Sequence, residues 1–257
     1  MTSAGPVSAE SSLHGMRLSP RTTPMILMYH GIACVADDPN QLCVSPDRFA
    51  AQMTWLARRG LRGVSVGTLV DAIHAGKQRG LVGITFDDGY DNVLSTAAPE
   101  LQRHGFGATA FIISDRLGGT NEWDDGPAWR LLDGDQVREL ASAGIEIGSH
   151  GATHVRLAGL DDDTLTAEIA TSRANLSALL GTTIRGFAYP YGSMDSNARA
   201  AVGRAGYEYA CAVEAPMQDI GILALPRVYV GQRDGAAKFA TKRLLHSAYI
   251  VAKGMRR

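Results

Sequence analysis

From residue 24 onward, short apolar runs alternate along the chain with longer amphipathic stretches. A short apolar run bounded by turn-forming residues is typical of a strand buried on both faces. The pattern predicts seven strands and indicates an eighth near the C-terminus: 24–29, 61–66, 81–86, 108–113, 145–150, 185–190, 207–213 and 224–230.

The amphipathic stretches between these runs carry helix signals. In the first of them, Ser45 is a good N-cap, Pro46 fits the first helical position and Gly60 fits the stop. The same reasoning predicts seven helices: 45–60, 67–76, 91–105, 135–143, 161–181, 195–205 and 235–249.

Repeated alternation of strands and helices favours parallel strands joined by right-handed crossovers. About seven such units in a chain of 257 residues predict a single α/β domain, a TIM-like (β/α) barrel, over residues 24–257. Residues 1–23 are rich in Ser, Thr and Pro and are predicted to be disordered.

Composition narrows the class of protein. A net charge of -1 argues against a dedicated nucleic-acid binder, which needs a basic surface. Three cysteines favour a reduced protein without a disulfide framework. No apolar run reaches the length of a membrane span, and no apolar signal-peptide region is visible, so we expect a cytoplasmic protein. The basic stretch 238–257 fits a barrel-packing helix, or a helix in peripheral contact with a membrane surface.

A (β/α) barrel gathers its active site at the carboxyl ends of its strands. Chemistry-capable residues do follow the predicted strands: His30, Asp87, Asp88, His150, His154 and Tyr189 to Tyr191. They are far apart in sequence, and the barrel would bring them to one rim.

Two histidines and one carboxylate, with room for water, form the ligand set of a hydrolytic zinc site or a non-haem iron site. His150 and His154 could supply the imidazoles, although either could equally be an ordinary packed histidine. Successive strand residues point in opposite directions, so one of Asp87 and Asp88 could reach the metal while the other serves as a base beside it. The alternative is an Asp-Asp-Gly turn that caps the next helix.

Two further segments have weaker signals. The stretch "FAYPYG" (187–192) is either a plain turn or a rigid loop whose Tyr191 N–H points at a developing oxyanion. In the loop 118–130, Trp123 and Trp129 could stack on sugar faces, or could simply anchor the loop.

Taken in order, "TFDDG", "SHGATH" and "FAYPYG" resemble the motifs of the polysaccharide deacetylase family, the carbohydrate esterases with a NodB-homology domain. The resemblance covers roughly residues 25–235 and implies a distorted (β/α) barrel. By position it implies that Asp87 is the general base and that Asp88, His150 and His154 bind a divalent metal, usually zinc and sometimes cobalt or nickel. The Tyr191 N–H would then help to hold the oxyanion.

The sequence departs from the family pattern at three places. Gly151 stands where Ser or Thr is common, and Ala188 stands where an arginine often pairs with the base. Arg227 is a candidate substitute for that arginine. The late Leu-x-His motif supplies an acid in many members, but "LLH" at 244–246 falls in the last predicted helix, away from the rim.

His30 then becomes the histidine nearest the rim that could touch substrate or act as the acid, unless it is merely packed at its strand end. The residues expected to contact or flank the substrate are His30, Pro190, Arg227 and Trp123. The resulting hypothesis is a metal-dependent hydrolase that removes N-acetyl groups from a glycan or sugar conjugate. Alternatives are hydrolysis of a non-sugar amide, such as a cyclic ureide, and a catalytically silent sugar-binding domain.

Overall fold

The structure is a computed structural model and describes residues 18–19, 22–213, 215, 219–246, 248 and 251. The predicted disorder of residues 1–23 falls almost entirely outside the described residues. Eleven strands occur in the described part: β1 Ile26–Tyr29, β2 Gly31–Ile32, β3 Cys43–Val44, β4 Arg62–Val64, β5 Leu81–Phe86, β6 Thr109–Ile112, β7 Glu146–Ser149, β8 Gly186–Ala188, β9 Tyr209–Ala212, β10 Leu225–Pro226 and β11 Val228–Tyr229.

Helices connect most of these strands, as the amphipathic stretches predict. Two of the connections contain a π-helical turn, at Val93–Ala97 and Ala167–Thr171. The α-helices are α1 Pro46–Ala57, α2 Val66–His74, α3 Ala98–Arg103, α4 Gly134–Ser142, α5 Asp162–Thr166, α6 Ser172–Leu180, α7 Ser196–Arg204 and α8 Ala236–Leu244.

The main sheet is parallel throughout and curves into a nearly closed barrel in the order β10-β9-β8-β7-β6-β5-β1-β11. Strands β10 and β11 are one short stretch of chain that pairs first with β9 and then with β1. The single residue between them, Arg227, therefore lies where the barrel closes. Strand β4 pairs with the first half of β5. The predicted TIM-like barrel of about seven strands is confirmed, and the eighth apolar run, 224–230, supplies β10 and β11.

Alternating strand residues divide the core into two parts. Leu27, Ile84 and Phe187 pack in the larger cluster with the outer helices. Their neighbours Ile26 and Ala188 belong to a smaller cluster that also holds residues of α2. The first turn of α2 bonds to the start of β6 and β7, since the N–H of Val66 donates to Thr109 and that of Gly67 to Glu146. Helix α2 thus covers the amino end of the barrel and leaves the carboxyl end open.

In the part of the chain that the structure describes, no helix is both long and apolar enough to span a bilayer. Helix α8 packs on the barrel through Phe239, whose ring meets that of Trp55 edge-on at 5.4 Å. This contact favours the barrel-packing interpretation of the basic stretch, although much of its C-terminal half lies outside the described residues. The three cysteines are free. The cytoplasmic location stays a prediction.

Candidate active site

The Asp87 side chain points into the barrel because it continues the alternation of β5 side chains between the two faces of the sheet. Phe86 packs with the outer helices, whereas Thr85 and Asp87 both contact the Arg227 side chain. The period of two residues along a strand therefore places Asp87 on the inner face, at the carboxyl end of the barrel.

Arg227 and Asp87 form a buried, two-pronged ion pair. Arg227 Nη1 donates to Asp87 Oδ1 over 2.6 Å, and Nη2 donates to Oδ2 over 2.7 Å. Arg227 is 2% exposed, and its Nη1 also lies 3.1 Å from Thr85 Oγ1. A guanidinium fork matches a carboxylate in this way and fixes its plane. The structure thus pairs Arg227 with the predicted base, and its role as substitute for the missing family arginine stays a prediction.

Asp88 turns the other way and meets the two histidines. Its Oδ1 lies 3.4 Å from His150 Nε2 and 3.3 Å from His154 Nε2, and all three side chains are buried. One ligand atom from each residue lies within 4.8 Å of the others. The sequence-predicted ligand set is therefore assembled at one place.

The chemistry of these donors fits a divalent metal ion. His150 donates its Nδ1–H to the Ala188 carbonyl over 2.8 Å, which leaves the Nε2 lone pair free to face Asp88. A metal-binding histidine is commonly oriented by such a bond through its other nitrogen. Two imidazoles and one carboxylate are the donor set of hydrolytic zinc sites that keep an open position.

Burial and interaction with cationic or imidazole groups shift the pKa values of the two aspartates in opposite directions. Burial raises the pKa of Asp87, but the Arg227 charge and, less strongly, His150 outweigh it, so the pKa lies below its ordinary value. Burial likewise raises the pKa of Asp88, but its interactions with His150 and His154 outweigh burial and hold the pKa well below its ordinary value. Both aspartates are therefore carboxylates at neutral pH. The pKa of His154 is lowered, chiefly by burial, which favours the neutral imidazole that binds metal.

The loop that carries the histidines is held by Glu168, which the π turn of Ala167–Thr171 places beneath it. Glu168 Oε2 accepts from the N–H groups of Ala152 and Thr153, each over 3.0 Å, and Oε1 accepts from Thr153 Oγ1. Gly151 adopts a φ of +83°, and a Cβ there would lie 3.2 Å from the Glu168 carboxylate. Glu168, which no sequence motif singles out, thus holds the histidine loop through three hydrogen bonds.

Tyr191 lies in the tight turn Pro190–Gly192, directly after β8, with a left-handed φ of 57°. Its ring is half-exposed and lies 4.5 Å from the ring of His154. Pro190 is buried and starts the turn, while the wall of the cleft comes from the tyrosines on either side of it. The structure therefore gives Pro190 a role in shaping the loop.

The ligand set and Asp87 open into a cleft of about 360 Å³. His30 and Trp123 line the cleft, whereas the buried Arg227 lies behind Asp87, and contact of these residues with substrate stays a prediction. Tyr189, which follows a predicted strand, completes the wall together with residues that the sequence did not single out: Asn40, Leu42, Asp124, Arg156 and Val213. Asp124 falls in the Trp- and Asp-rich loop and Arg156 follows His154 by two positions, so proximity to the motifs was the available signal for both.

His246, the histidine of "LLH", is buried at the other end of the barrel. Its Nε2 bonds to the carbonyl of Pro24, which precedes β1, whereas His30 follows β1. The prediction that this motif lies away from the rim is confirmed.

Comparison with known proteins shows the family to which the chain belongs. The model of the polysaccharide deacetylase family matches residues 74–210. YxkH of Bacillus subtilis (strain 168), a presumed polysaccharide deacetylase by name, is 31% identical over 209 residues, which are 80% of this chain and 70% of YxkH. The poly-beta-1,6-N-acetyl-D-glucosamine N-deacetylase of Staphylococcus epidermidis is 25% identical over 199 residues, covering 73% of this chain and 68% of that protein.

The fold is shared with a solved structure. The deacetylase PplD of Streptococcus pyogenes superposes with a TM-score of 0.74 at 22% identity, over 85% of this chain and 97% of PplD. Fold, family model and relatives lead to one conclusion: the chain belongs to the polysaccharide deacetylase family.

Proposed function

We propose that this protein is a metal-dependent hydrolase that removes N-acetyl groups from amino sugars of a glycan or glycoconjugate. The observation that supports the proposal is that two separate groups of charged or metal-binding residues lie side by side in one cleft. A carboxylate clamped by Arg227 stands beside a separate set of one carboxylate and two imidazoles. A catalytically silent sugar-binding domain would have no need of that buried charge arrangement.

Asp88, His150 and His154 would hold the metal, for which zinc is our first expectation and cobalt or nickel are alternatives. A divalent ion bound there would polarise the acetamide carbonyl and make a water molecule more acidic. The chain's own contribution is to keep one carboxylate and two imidazoles convergent in a buried setting.

Asp87 would act as the general base that takes a proton from the attacking water. Arg227 keeps it ionised and fixes its orientation. The N–H of Tyr191 would donate to the oxygen on which negative charge develops, in the manner of an oxyanion hole.

His30 would protonate the departing amine nitrogen. It lines the cleft, and its Nδ1 is buried without a protein partner among the described residues. Attack by water, breakage of the C–N bond and proton transfer to nitrogen would release acetate and a free amine.

The substrate class follows from the family and from one relative. The Staphylococcus epidermidis protein is named for removing N-acetyl groups from poly-β-1,6-linked N-acetyl-D-glucosamine. We propose a glycan or sugar conjugate bearing N-acetylated amino sugars for this chain too.

Acetate release from N-acetylglucosamine oligomers, measured with added zinc or cobalt and again after chelation, tests the proposal. We expect release that requires metal and is lost in Asp87→Asn. Metal-dependent activity confined to cyclic ureides or other non-sugar amides would replace the sugar substrate, and a protein that binds no metal would overturn the mechanism.

A further inference from the structure

The two histidines of the candidate metal site are held in different ways. His150 donates its Nδ1–H to the carbonyl of Ala188. His154 is 5% exposed, and its buried Nδ1 has no hydrogen-bond partner among the described residues. Most metal-binding histidines are oriented by a bond from the second ring nitrogen, so His154 lacks the usual device.

Aromatic rings contact His154 where a hydrogen bond would be expected. The centroid of the Trp123 ring lies 4.6 Å from that of His154, tilted by 49°. The centroid of the Tyr191 ring lies 4.5 Å away, tilted by 46°. The guanidinium of Arg156 lies 4.3 Å from the centre of the Tyr191 ring, a cation–π distance that extends the row of contacts to the cleft rim.

These contacts join separate segments of the chain. Trp123 belongs to the loop after β6, His154 to the loop after β7 and Tyr191 to the turn after β8. Both His154 and Tyr191 have left-handed backbones, with φ values of 71° and 57°. Such a conformation is strained for a non-glycine residue, so the surrounding contacts must maintain it.

We propose that Trp123 and Tyr191 are positioning residues that orient the His154 imidazole by ring contact, in place of a hydrogen bond. The inference rests on the proposed metal site and adds to it how one ligand is aimed. It predicts that metal affinity depends on the aromatic character of positions 123 and 191, although neither residue offers a metal ligand. It also reinterprets Trp123, because contact with His154 gives this ring a role besides binding sugar.

Calorimetric titration of the metal-stripped full chain with zinc tests this without any substrate. Trp123→Ala and Tyr191→Ala should each weaken zinc binding by about 10-fold, the lower end of the range for residues that support a ligand. Trp123→Phe and Tyr191→Phe keep a ring in place and should bind zinc within about 2-fold of the wild type. Trp129→Ala is the matched control, because Trp129 lies in the same loop but contacts the ring of Tyr90.

The melting temperature of each metal-free variant distinguishes a loss of His154 orientation from a loss of folding stability. We expect the alanine variants to lose zinc affinity at nearly unchanged metal-free stability, and the phenylalanine variants to restore it. Wild-type zinc affinity in both alanine variants would overturn the inference and leave the proposed function intact. The same holds if Trp129→Ala weakens binding as much as Trp123→Ala. A wild-type protein that binds no zinc would instead overturn the metal site itself.

Discussion

Three residues that lie close together in the site have a left-handed backbone conformation, which non-glycine residues rarely adopt. Asp88, His154 and Tyr191 are three of the four non-glycine residues with positive φ in the described part of the chain. At Asp88 the consequence is direct, because leaving the strand conformation after Asp87 turns the second carboxylate away from Arg227 and toward the histidines. Two adjacent buried carboxylates can coexist since each has its own partners.

This division of partners predicts different defects for two similar substitutions. Asp88→Asn removes a charged ligand and should weaken zinc binding by at least about 10-fold. Asp87→Asn should bind zinc nearly as well as the wild type but lower kcat by about 100-fold or more, because a base is lost. Zinc titration and acetate release on both variants check this, and equal loss of metal in the two would contradict it.

At the residue scale, the sequence could identify groups whose chemistry is conspicuous. Adjacent aspartates and a histidine pair after apolar runs pointed to a metal site. Strand alternation alone could not show that Asp88 leaves the strand conformation, with a φ of 71°, to reach the histidines. Glu168 and the carbonyl of Ala188 could not be found this way, because a glutamate inside a helix and a backbone oxygen carry no distinctive pattern. Their roles arise only when the loop and helix meet.

At the scale of elements, the stretch that closes the barrel also delivers Arg227. Strands β10 and β11 pair with β9 and β1 on either side of this residue, so its backbone is fixed from two directions. The apolar run 224–230 predicted a strand, but not that it changes partners in the middle, since that depends on the curvature of the whole sheet. Closure of the barrel and orientation of the base are thereby coupled.

Removing the Arg227 side chain should affect both the stability of the barrel and the orientation of Asp87. Arg227→Ala leaves Asp87 buried and unpaired, which should cost about 3–5 kcal/mol of unfolding free energy and sharply lower turnover. Adding Asp87→Asn to it should recover part of the stability and none of the activity. Arg185→Ala is the control, since Arg185 pairs with Asp71 at the surface and should cost less than about 1 kcal/mol. If urea unfolding showed the same loss of unfolding free energy in Arg227→Ala and Arg185→Ala, the structural role assigned to Arg227 would be wrong.

The π turn of Ala167–Thr171 is a second element with a task at the site. It brings Glu168 under the histidine loop, where two backbone N–H groups depend on it. Glu168→Ala leaves both N–H groups without an acceptor. It should lower the free energy of unfolding by at least about 2 kcal/mol and weaken zinc binding. Glu168→Gln retains an acceptor and should be much milder. Urea unfolding and zinc titration on the pair check this, and equal effects would show that the carboxamide cannot replace the carboxylate.

At the scale of the whole molecule, the alternation of strands and helices was enough to predict the parallel barrel and the rim that holds the site. It could not show that α2 covers the amino end, because that depends on bonds from its first turn to Thr109 and Glu146. Nor could periodicity reveal the π turns, which keep the same apolar face as the helices they interrupt. The two ends of the barrel consequently differ in function as well as in shape.

Two histidines at opposite ends of β1 test that polarity. His30 lies in the cleft, and His246 bonds to Pro24 about 20 Å away along the strand, at about 3.3 Å per residue. If His30 is the acid, His30→Ala should lower kcat by about 100-fold or more and remove the alkaline limb of the pH–rate profile, because an acid must be protonated to act. His246→Ala should keep kcat and the profile while losing about 1 kcal/mol of stability with its buried hydrogen bond. Wild-type kcat in His30→Ala, with a loss of activity in His246→Ala, would contradict both assignments.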